Sequence, residues 1–502
     1  MDSAAMKQVT SLPHPLWRGQ QVRDFEGLAA SAVGITTYAL MDRAGRSAFQ
    51  QLQLRWPEAQ NILVLCGHGN NGGDGYVLAA LAKDAGLHVQ VCHLGEPSSL
   101  SGDAATARNA WLVEQGVSHE VVLANYDVDV IVDGLIGTGL SGEVRPEYQQ
   151  VISAINHASC PVLALDVPSG LCADTGDVAS VAVEADVTLS FVALKQGLFT
   201  GQAAQYCGEV VYDGLGIEHE FQQQGQTLVE RVEYGQLCGL LKQRHKASHK
   251  GHFGKVALAG GNLGMPGALR MAGEACQRTG AGIVKAVTRD ENILAMLSGR
   301  PELMVQSFNG DDWQLNEVLA WASTLVVGPG LGQDEWAKTL LTRFLDNLLP
   351  KVVDADALKL LVEMPQWHDN WILTPHPGEA AHLLGCSIDK VERDRFTAVR
   401  NIQQSFGGVV VLKGSGTLIY DGKTLLVANV GNPGMASGGM GDVLSGIIGG
   451  LLGQGLSLFD AAALGVCIHG QSADLAAQYG ERGLLASDLL PFVRQLVNPK
   501  ID

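Results

Sequence analysis

The chain has 502 residues, of which 46% are hydrophobic and 17% charged, and its formal net charge is −18. This composition is typical of a well-buried globular protein, and the acidic balance argues against partners such as nucleic acid or an anionic membrane surface. The length exceeds what one hydrophobic core usually supports and predicts about two to four domains.

The start of the chain and its cysteines bear on location. Residues before Val22 contain no continuous apolar stretch, and no window approaches about 20 uninterrupted apolar residues, so we expect neither a secretory signal nor a membrane span. The nine cysteines are scattered and form no Cys-x-x-Cys pair. This usage predicts reduced thiols in a cytoplasmic protein rather than a disulfide framework.

The first half alternates between short apolar strands and helical patterns. Leu16–Phe49 has apolar residues at helical spacing and contains no proline, so it is predicted to be largely helical. Strands that run into glycine or aspartate and then into a helix indicate crossover connections and a mostly parallel sheet. The predicted elements are strands at Asn61–Cys66, His88–Cys92, Val128–Val132, Val162–Asp166 and Val187–Val192, with a helix at Tyr76–Ala85.

The alternation lapses between about Gly216 and Lys250, so we place a domain boundary near Gln226, giving domains 1–226 and 227–502. The alternation then restarts and ends in a late pair of strands and two long helices, which predicts a second, doubly wound α/β domain. Its predicted strands are Lys255–Ala259, Ile283–Val287, Thr324–Val327, Lys351–Asp354, Trp371–Thr374, Val409–Leu412, Thr417–Tyr420 and Leu425–Ala428. Its predicted helices are Gly267–Thr279, Val443–Gly453 and Leu458–Gln478.

A glycine- and asparagine-rich motif in the first half and two other strand ends predict a candidate anion site. Leu65–Gly75 reads Leu-Cys-Gly-His-Gly-Asn-Asn-Gly-Gly-Asp-Gly and lacks the Lys-Ser/Thr ending of a Walker loop. Paired asparagines offer carbonyl oxygens to a monovalent cation and N–H groups to phosphate oxygens. Asp133 and Asp166 follow two further strands, so the three strand ends predict one pocket. The alternative is that both aspartates only cap turns.

The glycine-rich segment near the end of the chain is the most informative one. Gly431–Gly446 reads Gly-Asn-Pro-Gly-Met-Ala-Ser-Gly-Gly-Met-Gly-Asp-Val-Leu-Ser-Gly, and an apolar helical run follows Asp442. Glycines let successive backbone N–H groups point into one concavity, and a helix N-terminus adds partial positive charge. A carboxylate beside such an anion site predicts phosphoryl transfer to an alcohol, with Asp442 as the base. The alternative is a glycine turn that Asp442 merely caps.

These segments together resemble a known pair of fused domains. Gly69–Gly75, Asp133–Gly139 and Asp166–Gly170 look like the NAD(P)H-hydrate epimerase domain, and the second half looks like the ADP-dependent NAD(P)H-hydrate dehydratase. The second resemblance is carried by His249–Gly254, Gly328–Gly332, Asp354–Asp356, Thr374–Glu379, Lys413–Thr417 and the loop that ends at Asp442. The resemblance covers nearly the whole chain. It implies an α/β protein with an N-terminal Rossmann-like three-layer domain and a C-terminal ribokinase-like doubly wound domain.

For the first domain, the resemblance implies an isomerase that interconverts the R and S forms of NADHX and NADPHX, which carry water added across the nicotinamide C5–C6 bond. Asp166 is the candidate acid–base group. Asn71, Asp133 and Ser169 match the family's potassium ligands. The positions implied to bind the hydrated dinucleotide are Asn70, Asn71, Gly72, Gly73, Asp74, Gly137, Thr138, Gly139, Leu140, Ser141, Gly142, Glu143 and Asp166.

For the second domain, the resemblance implies a lyase that dehydrates the S form with ADP, accompanied by magnesium, and yields NAD(P)H, AMP and phosphate. Asp442 would deprotonate the C6 hydroxyl, which attacks the β-phosphorus of ADP. The implied anion hole consists of Gly439, Met440 and Gly441. The positions facing the hydrated dinucleotide are Ala268, Gly330, His376 and Asp442, and those contacting the nucleotide are Lys413, Gly414, Ser415, Gly416, Thr417 and Gly441.

Several alternatives stay open at this point. The alternative for His376 is a structural loop histidine, and the alternative for Lys413 is a solvated strand-end lysine. Lys242–Lys250 is more often a solvated linker, although His249 and Lys250 belong to one of the segments that carry the resemblance. Ribokinase-like kinases usually have Gly-Ala-Gly-Asp where this chain has Gly439-Met-Gly-Asp442, which favours the dehydratase. A hydroxymethylpyrimidine- or hydroxyethylthiazole-type kinase with a regulatory nucleotide-binding domain is the alternative function, and a non-enzymatic first domain is another. The resemblance also implies a homo-oligomer, a tetramer or larger.

Overall fold

The computed structural model of the protein describes residues 12–95, 100–114, 116–120, 127–140, 142–310 and 312–499. The chain divides into two compact units between Glu230 and Arg231, shortly after the boundary predicted near Gln226. All nine cysteines are free thiols. Within the described ranges, every helix is too short or too polar to traverse a lipid bilayer.

The first unit is built on a seven-stranded sheet. Its strands are β1 (Asn61–Cys66), β2 (His88–His93), β3 (Ser118–Glu120), β4 (Val130–Gly134), β5 (Val162–Leu165), β6 (Val187–Phe191) and β7 (Glu209–Asp213). Their order is β3-β2-β1-β4-β5-β6-β7, and every neighbouring pair is parallel. The strand order reverses between β1 and β4, which opens a crevice at their carboxyl ends, where such sheets bind ligands.

Helices cover both faces of this sheet, as the three-layer prediction requires. Ile62 and Val64 of β1 belong to one buried core, and Leu63 and Leu65 belong to a second core on the other face. This burial on both faces explains why the parallel strands read as continuous apolar runs. The helices are α1 (Gly19–Ala32), α2 (Thr37–Arg55), α3 (Asn70–Asp84), α4 (Gly102–Val113), α5 (Pro146–Asn156), α6 (Ala203–Tyr206) and α7 (Glu218–Gln224).

The predicted helical character of Leu16–Phe49 is confirmed, and the segment forms two helices, α1 and α2. They are separate because Gly34 adopts a left-handed φ of +76° and Thr36 caps α2 by accepting from the Ala39 N–H at 3.1 Å. The predicted start of the next helix at Tyr76 is wrong, because residues 70–74 already form the first turn of α3. A Cβ at Gly72 would stand 2.3 Å from the Gly67 carbonyl oxygen, so glycine here lets the helix begin directly against the strand end.

The second unit contains a ten-stranded sheet. Its strands are β8 (Val229–Val232), β9 (Lys255–Ala259), β10 (Ile283–Thr288), β11 (Met304–Ser307), β12 (Thr324–Val327), β13 (Lys351–Val353), β14 (Trp371–Leu373), β15 (Val409–Leu412), β16 (Thr417–Tyr420) and β17 (Leu425–Ala428). Their order is β11-β10-β9-β12-β13-β14-β15-β16-β17-β8. The pairs from β11 to β15 are parallel, and β15, β16 and β17 pair antiparallel, which confirms the predicted late β pair.

One helix runs through the core of the second unit. Residues 443–452 of α17 are all buried, and this helix packs against α9 and α18. An apolar helix of this kind fixes its own N-terminus rigidly, because the whole length is held by the core. The helices are α8 (Tyr234–Leu237), α9 (Pro266–Thr279), α10 (Ile293–Leu297), α11 (Asp312–Trp321), α12 (Glu335–Leu345), α13 (Asp356–Glu363), α14 (Pro377–Leu384), α15 (Ile388–Arg393), α16 (Arg395–Phe406), α17 (Met440–Gly453), α18 (Leu458–Ala476) and α19 (Leu490–Leu496).

Candidate active sites of the two units

A cavity of about 690 Å³ lies in the first unit at the carboxyl ends of its central strands. It is lined by most of the residues predicted to bind a dinucleotide: Asn70, Asn71, Asp74, Gly137, Thr138, Gly139, Leu140, Glu143 and Asp166. Three others do not line it. Gly72 and Gly73 are buried within α3, and Gly142 is exposed to solvent. Ser141 lies outside the described residues.

Asp166 occupies a strained backbone position at the end of β5. Its φ is +64°, in the left-handed region that non-glycine residues rarely adopt. Such strain persists where the surrounding structure holds a residue in a functional geometry. The Asp166 carboxylate accepts a hydrogen bond from the Phe191 N–H at 3.2 Å and an ion-paired hydrogen bond from Lys195 Nζ.

Lys195 is a candidate site residue that the sequence did not reveal. Its side chain is only 1% exposed, yet it lines the cavity beside Asp166. The ammonium group also donates to the Phe191 carbonyl oxygen at 2.8 Å and to Ser190 Oγ at 3.3 Å. Lys195 follows β6, and neither it nor the nearby Gly197 belongs to a motif recognised in the sequence, so no local pattern marks it.

Two of the predicted potassium ligands, Asp133 and Ser169, contact each other at the strand ends, and the third, Asn71, lies in the first turn of α3 beside Gly137. Ser169 Oγ donates to Asp133 Oδ1 at 2.6 Å, and the Ser169 N–H donates to Asp133 Oδ2 at 2.8 Å. Burial raises the pKa of Asp133 to about 6, although the bonds from Ser169 oppose this rise. Both side-chain polar atoms of Asn71 are buried and have no hydrogen-bond partner. A buried amide without partners is costly, and a cation at its carbonyl oxygen would remove that cost.

In the second unit, the glycine-rich segment begins α17 as predicted. Gly439 precedes the helix with a φ of +91°, and a Cβ there would stand 2.6 Å from Met271 Cε. Met440, Gly441 and Asp442 then form the first turn, whose backbone N–H groups have no partner within the helix. These donors and the helix dipole together present a site for an anion.

Lys413 forms a buried ion pair beside the start of this helix. Its Nζ lies 2.9 Å from Asp354 Oδ1 and 3.7 Å from Glu379 Oε2, and a Cβ at Gly441 would stand 3.3 Å from it. Ser445 Oγ, one turn along α17 from Asp442, donates to Asp354 Oδ2 at 2.6 Å. The alternative of a solvated lysine is wrong, because the Lys413 side chain is 18% exposed and the Asp354 side chain 1%.

The surroundings in this cluster shift the pKa values of two carboxyl groups in opposite directions. Burial alone would raise the pKa of Asp354, but Lys413 and the hydrogen bonds from Ser445 and Thr374 hold it below its ordinary value. Burial raises the pKa of Asp442 to about 7, the Asp354 carboxylate adds to the rise, and Lys413 opposes it. Asp354 is therefore a fixed anion, whereas Asp442 can exchange a proton near neutral pH.

His376 has the structural role that was left open as an alternative. It caps α14, because its Nδ1 accepts from the Gly378 N–H at 3.0 Å and the Glu379 N–H at 3.2 Å. Its Nε2 lies 3.4 Å from Glu379 Oε1, with the side chain 54% exposed. Capping leaves the outer edge of the ring accessible to a ligand. The structural role is therefore compatible with contact between His376 and a dinucleotide, which stays a prediction. Partial burial lowers the pKa of His376, so the ring is neutral at physiological pH.

The other predicted positions of the second unit lie on the loop after β12, in the first turn of α9 and in the connection from β15 to the start of β16. Gly330 follows β12 with a φ of +59°, and a Cβ on it would stand 3.2 Å from the Ala268 Cβ, so the structure brings these two residues together. Residues 413–416 connect β15 to β16. In this connection Gly414 has a φ of +141°, and Thr417 Oγ1 donates to the Gly414 carbonyl oxygen at 3.0 Å.

Comparisons with known proteins follow this geometry. A family model described as NAD(P)H-hydrate dehydratase matches residues 256–494, and one described as YjeF-related protein N-terminus matches residues 37–197. The bifunctional NAD(P)H-hydrate repair enzyme Nnr of Coxiella burnetii is 50% identical over 96% of this chain and 99% of that protein. The enzyme of the same description from Escherichia coli K12 is 46% identical over 100% of this chain and 97% of that protein.

Among solved structures, a ribokinase-like superfamily protein from Enterococcus faecalis V583 is similar, with 28% identity and a TM-score of 0.51. The match covers 54% of this chain and 96% of that one. It confirms the ribokinase-like fold that was predicted for the second half.

Proposed function

This chain belongs to the family of bifunctional NAD(P)H-hydrate repair enzymes, and we propose that its first unit holds the epimerase site and its second unit the dehydratase site. The family assignment favours repair over the alternative of a small-molecule kinase with a regulatory domain. The observation that carries the placement of the dehydratase is Asp442, a partly buried carboxyl group in the same helical turn as the unpaired backbone donors.

We propose that Asp442 is the base of dehydration. With a pKa of about 7, a large fraction is ionised at neutral pH and can take the proton from the C6 hydroxyl of S-NAD(P)HX. The resulting oxygen attacks the β-phosphorus of ADP, and AMP leaves. Phosphate then departs from C6 with the electron pair of the C–O bond as one of the two C5 protons passes to water, which restores the C5–C6 double bond and gives NAD(P)H.

The surroundings of Asp442 supply the charge that this step needs. Backbone N–H groups of Gly439, Met440 and Gly441 would hold the transferring phosphoryl group, since such donors stabilise charge that develops in the transition state. Asp354 holds the Lys413 side chain at the start of the helix. The Lys413 ammonium group therefore contributes positive potential at a fixed position there. Residues 414–417 follow Lys413 and would contact the nucleotide, and magnesium would arrive with the ADP phosphates.

For the first unit, we propose that the 690 Å³ cavity binds R- or S-NAD(P)HX with its damaged ring near Asp166. Asn71, Asp133 and Ser169 fit a potassium ion, because the Asn71 carbonyl oxygen is buried without a partner and Asp133 supplies a negative charge. A bound potassium ion would supply fixed positive charge next to the dinucleotide phosphates.

One experiment tests both activities. The intact protein receives ADP and a mixture of R- and S-NADHX, and reduced nicotinamide is followed by its near-ultraviolet absorbance. We expect complete conversion of both forms. Conversion limited to the S fraction would remove the epimerase from the proposal, and accumulation of a stable phosphorylated alcohol would support the kinase instead. Asp166→Asn should limit conversion to the S fraction, and Asp442→Asn should stop conversion of both.

We also propose, from the resemblance, a homo-oligomer of four or more copies and a cytoplasmic location. The nine free thiols support a reducing compartment. Light scattering coupled to size exclusion gives the mass in solution, and a mass equal to one chain of 53.0 kDa would contradict the assembly.

A further inference from the structure

Helix α1 forms one wall of the cavity in the first unit. Val22, Arg23 and Glu26 line the cavity, and their spacing of three and four residues places them on one face of the helix. Two long-range bonds fix this face. Arg23 Nη1 donates to the Thr138 carbonyl oxygen at 2.6 Å, and the Gly19 N–H donates to Asp174 Oδ1 at 2.7 Å. Glu26 is therefore held in the cavity by the fold, although no motif marks it.

Glu26 shares the cavity with Asp74 from α3, Asp166 from the end of β5 and Lys195 from the segment after β6. Burial raises the pKa of Glu26 to about 7, and the Asp166 carboxylate adds to the rise, whereas Lys195 and Arg23 oppose it. Asp166 has the Lys195 ammonium as its direct partner. One cavity thus holds a carboxyl group that retains its proton in part of the molecules near neutral pH and a carboxylate paired with a cation.

Epimerisation at C6 by cleavage and re-formation of the C6–O bond uses such a combination. The C6 hydroxyl is a poor leaving group unless it receives a proton, and the water that returns must lose one. Two carboxyl groups of opposite protonation state can serve these two needs, as they do wherever an enzyme separates the pKa values of an acid and a base.

We propose that Glu26 is the general acid of the epimerisation and that Asp166 is the base. The Glu26 carboxylic acid gives its proton to the C6 hydroxyl. The C6–O bond breaks with its electron pair on oxygen, and the oxygen departs as water. The ring is then a cation with an N1=C6 iminium bond. A water molecule then adds to the other face of C6 and forms the new C–O bond, while its proton passes to the Asp166 carboxylate. Transfer of that proton from Asp166 to Glu26 restores both groups, and no oxidant or reductant is consumed.

The test uses the full-length chain without ADP, so that the dehydratase is idle, and follows the ratio of R to S forms by chromatography. This inference rests on the proposed use of the cavity for epimerisation. Glu26→Gln preserves size but cannot give a proton, so kcat should fall about 10²- to 10³-fold with KM nearly unchanged. The wild-type rate should decline above about pH 7 as Glu26 loses its proton, and the slow Gln variant should lack this decline.

Two further variants separate proton transfer from a structural effect. Glu26→Asp keeps an acid and should recover part of the rate and the decline at high pH. Asp24→Asn changes an exposed acid of the same helix, one that accepts from Gln20 Nε2 at 2.7 Å, and should leave the rate unchanged. ADP-dependent dehydration of the S form by the same preparations verifies that each variant is intact.

The outcomes distinguish the role of Glu26 from the proposed use of the cavity for epimerisation, on which that role rests. A Gln variant with wild-type rate, or a slow one that keeps the decline above pH 7, overturns the role of Glu26. If Asp166→Asn abolishes epimerisation while Glu26→Gln does not, the cavity remains the site and Glu26 is not its acid. If neither substitution changes the rate, the cavity itself is not the epimerase site.

Discussion

Replacing Lys413 with methionine removes the only cation that directly pairs with the buried Asp354 in the described structure. Methionine keeps the length of the side chain, so the change is mainly electrostatic. The side chains of Asp354 and Glu379 are 1% and 6% exposed. The substitution removes Lys413 Nζ, which lies 2.9 Å from Asp354 Oδ1 and 3.7 Å from Glu379 Oε2. Breaking a buried pair by removing one member costs about 3–5 kcal/mol, and we expect Lys413→Met to destabilise the second unit by this amount at pH 8.

The loss should depend on pH with a definite sign. In the wild type, Lys413 holds the pKa of Asp354 below its ordinary value, so the pair stabilises at neutral pH and fails only in strong acid. In the variant, burial dominates and raises the pKa of Asp354, so the penalty is full at high pH and is relieved as the pH falls through the raised pKa. The difference in free energy of unfolding between the two proteins should therefore shrink between pH 8 and pH 5.

The measurement is urea-dependent hydrogen exchange of peptides from residues 351–373, which reports unfolding of the second unit alone. The control is Lys338→Met, which removes an exposed pair with Glu363 at 2.9 Å and should destabilise the unit far less than Lys413→Met, because solvent screens exposed pairs. A loss below about 1 kcal/mol for Lys413→Met, or a loss independent of pH, would refute the reasoning about the buried pair.

Three other predictions address the sites. As the pH is lowered through about 7, the kcat/KM of dehydration should decrease as one proton binds, because the proposed base Asp442 can act only when it is ionised. A flat profile from pH 6 to 8 would contradict this. Asn71→Leu should abolish the increase in epimerisation rate when potassium replaces tetramethylammonium, and a retained increase would place the ion elsewhere. Gly441→Ala should fold normally but dehydrate about 100-fold more slowly, since its methyl group would point towards Lys413 Nζ and displace the phosphoryl group; unchanged epimerisation is its internal control.

The buried strands were the easiest features to predict. β1, β9, β12, β15, β16 and β17 have the predicted bounds, because strands buried in the sheet must be continuously apolar. The four edge strands β3, β7, β8 and β11 were missed, since edge strands are short or partly exposed and this removes the continuous apolar signal. The first turn of α3 was also missed, because its glycines look like a loop although their role is close packing against Gly67.

The residues of the candidate sites were also predictable only in part. Residues in glycine-bearing motifs, such as Asp166 and Asp442, could be identified because the local sequence reveals both the chemistry and the strand end. Lys195 and Glu26 could not, because only the fold brings them to Asp166 from sites without a motif. Asp354 was part of a recognised segment, but its pairing with Lys413 joins residues 59 positions apart and depends on strand order.

The most direct test of the central claim is dehydration by Asp442→Asn, measured with S-NADHX and ADP, together with the affinity for ADP by calorimetry. Asparagine preserves the shape of the first turn of α17 and its backbone donors, but it cannot take a proton at neutral pH. We expect turnover to be abolished while ADP binds with nearly normal affinity. Turnover within about tenfold of the wild type would show that another group removes the proton from the C6 hydroxyl.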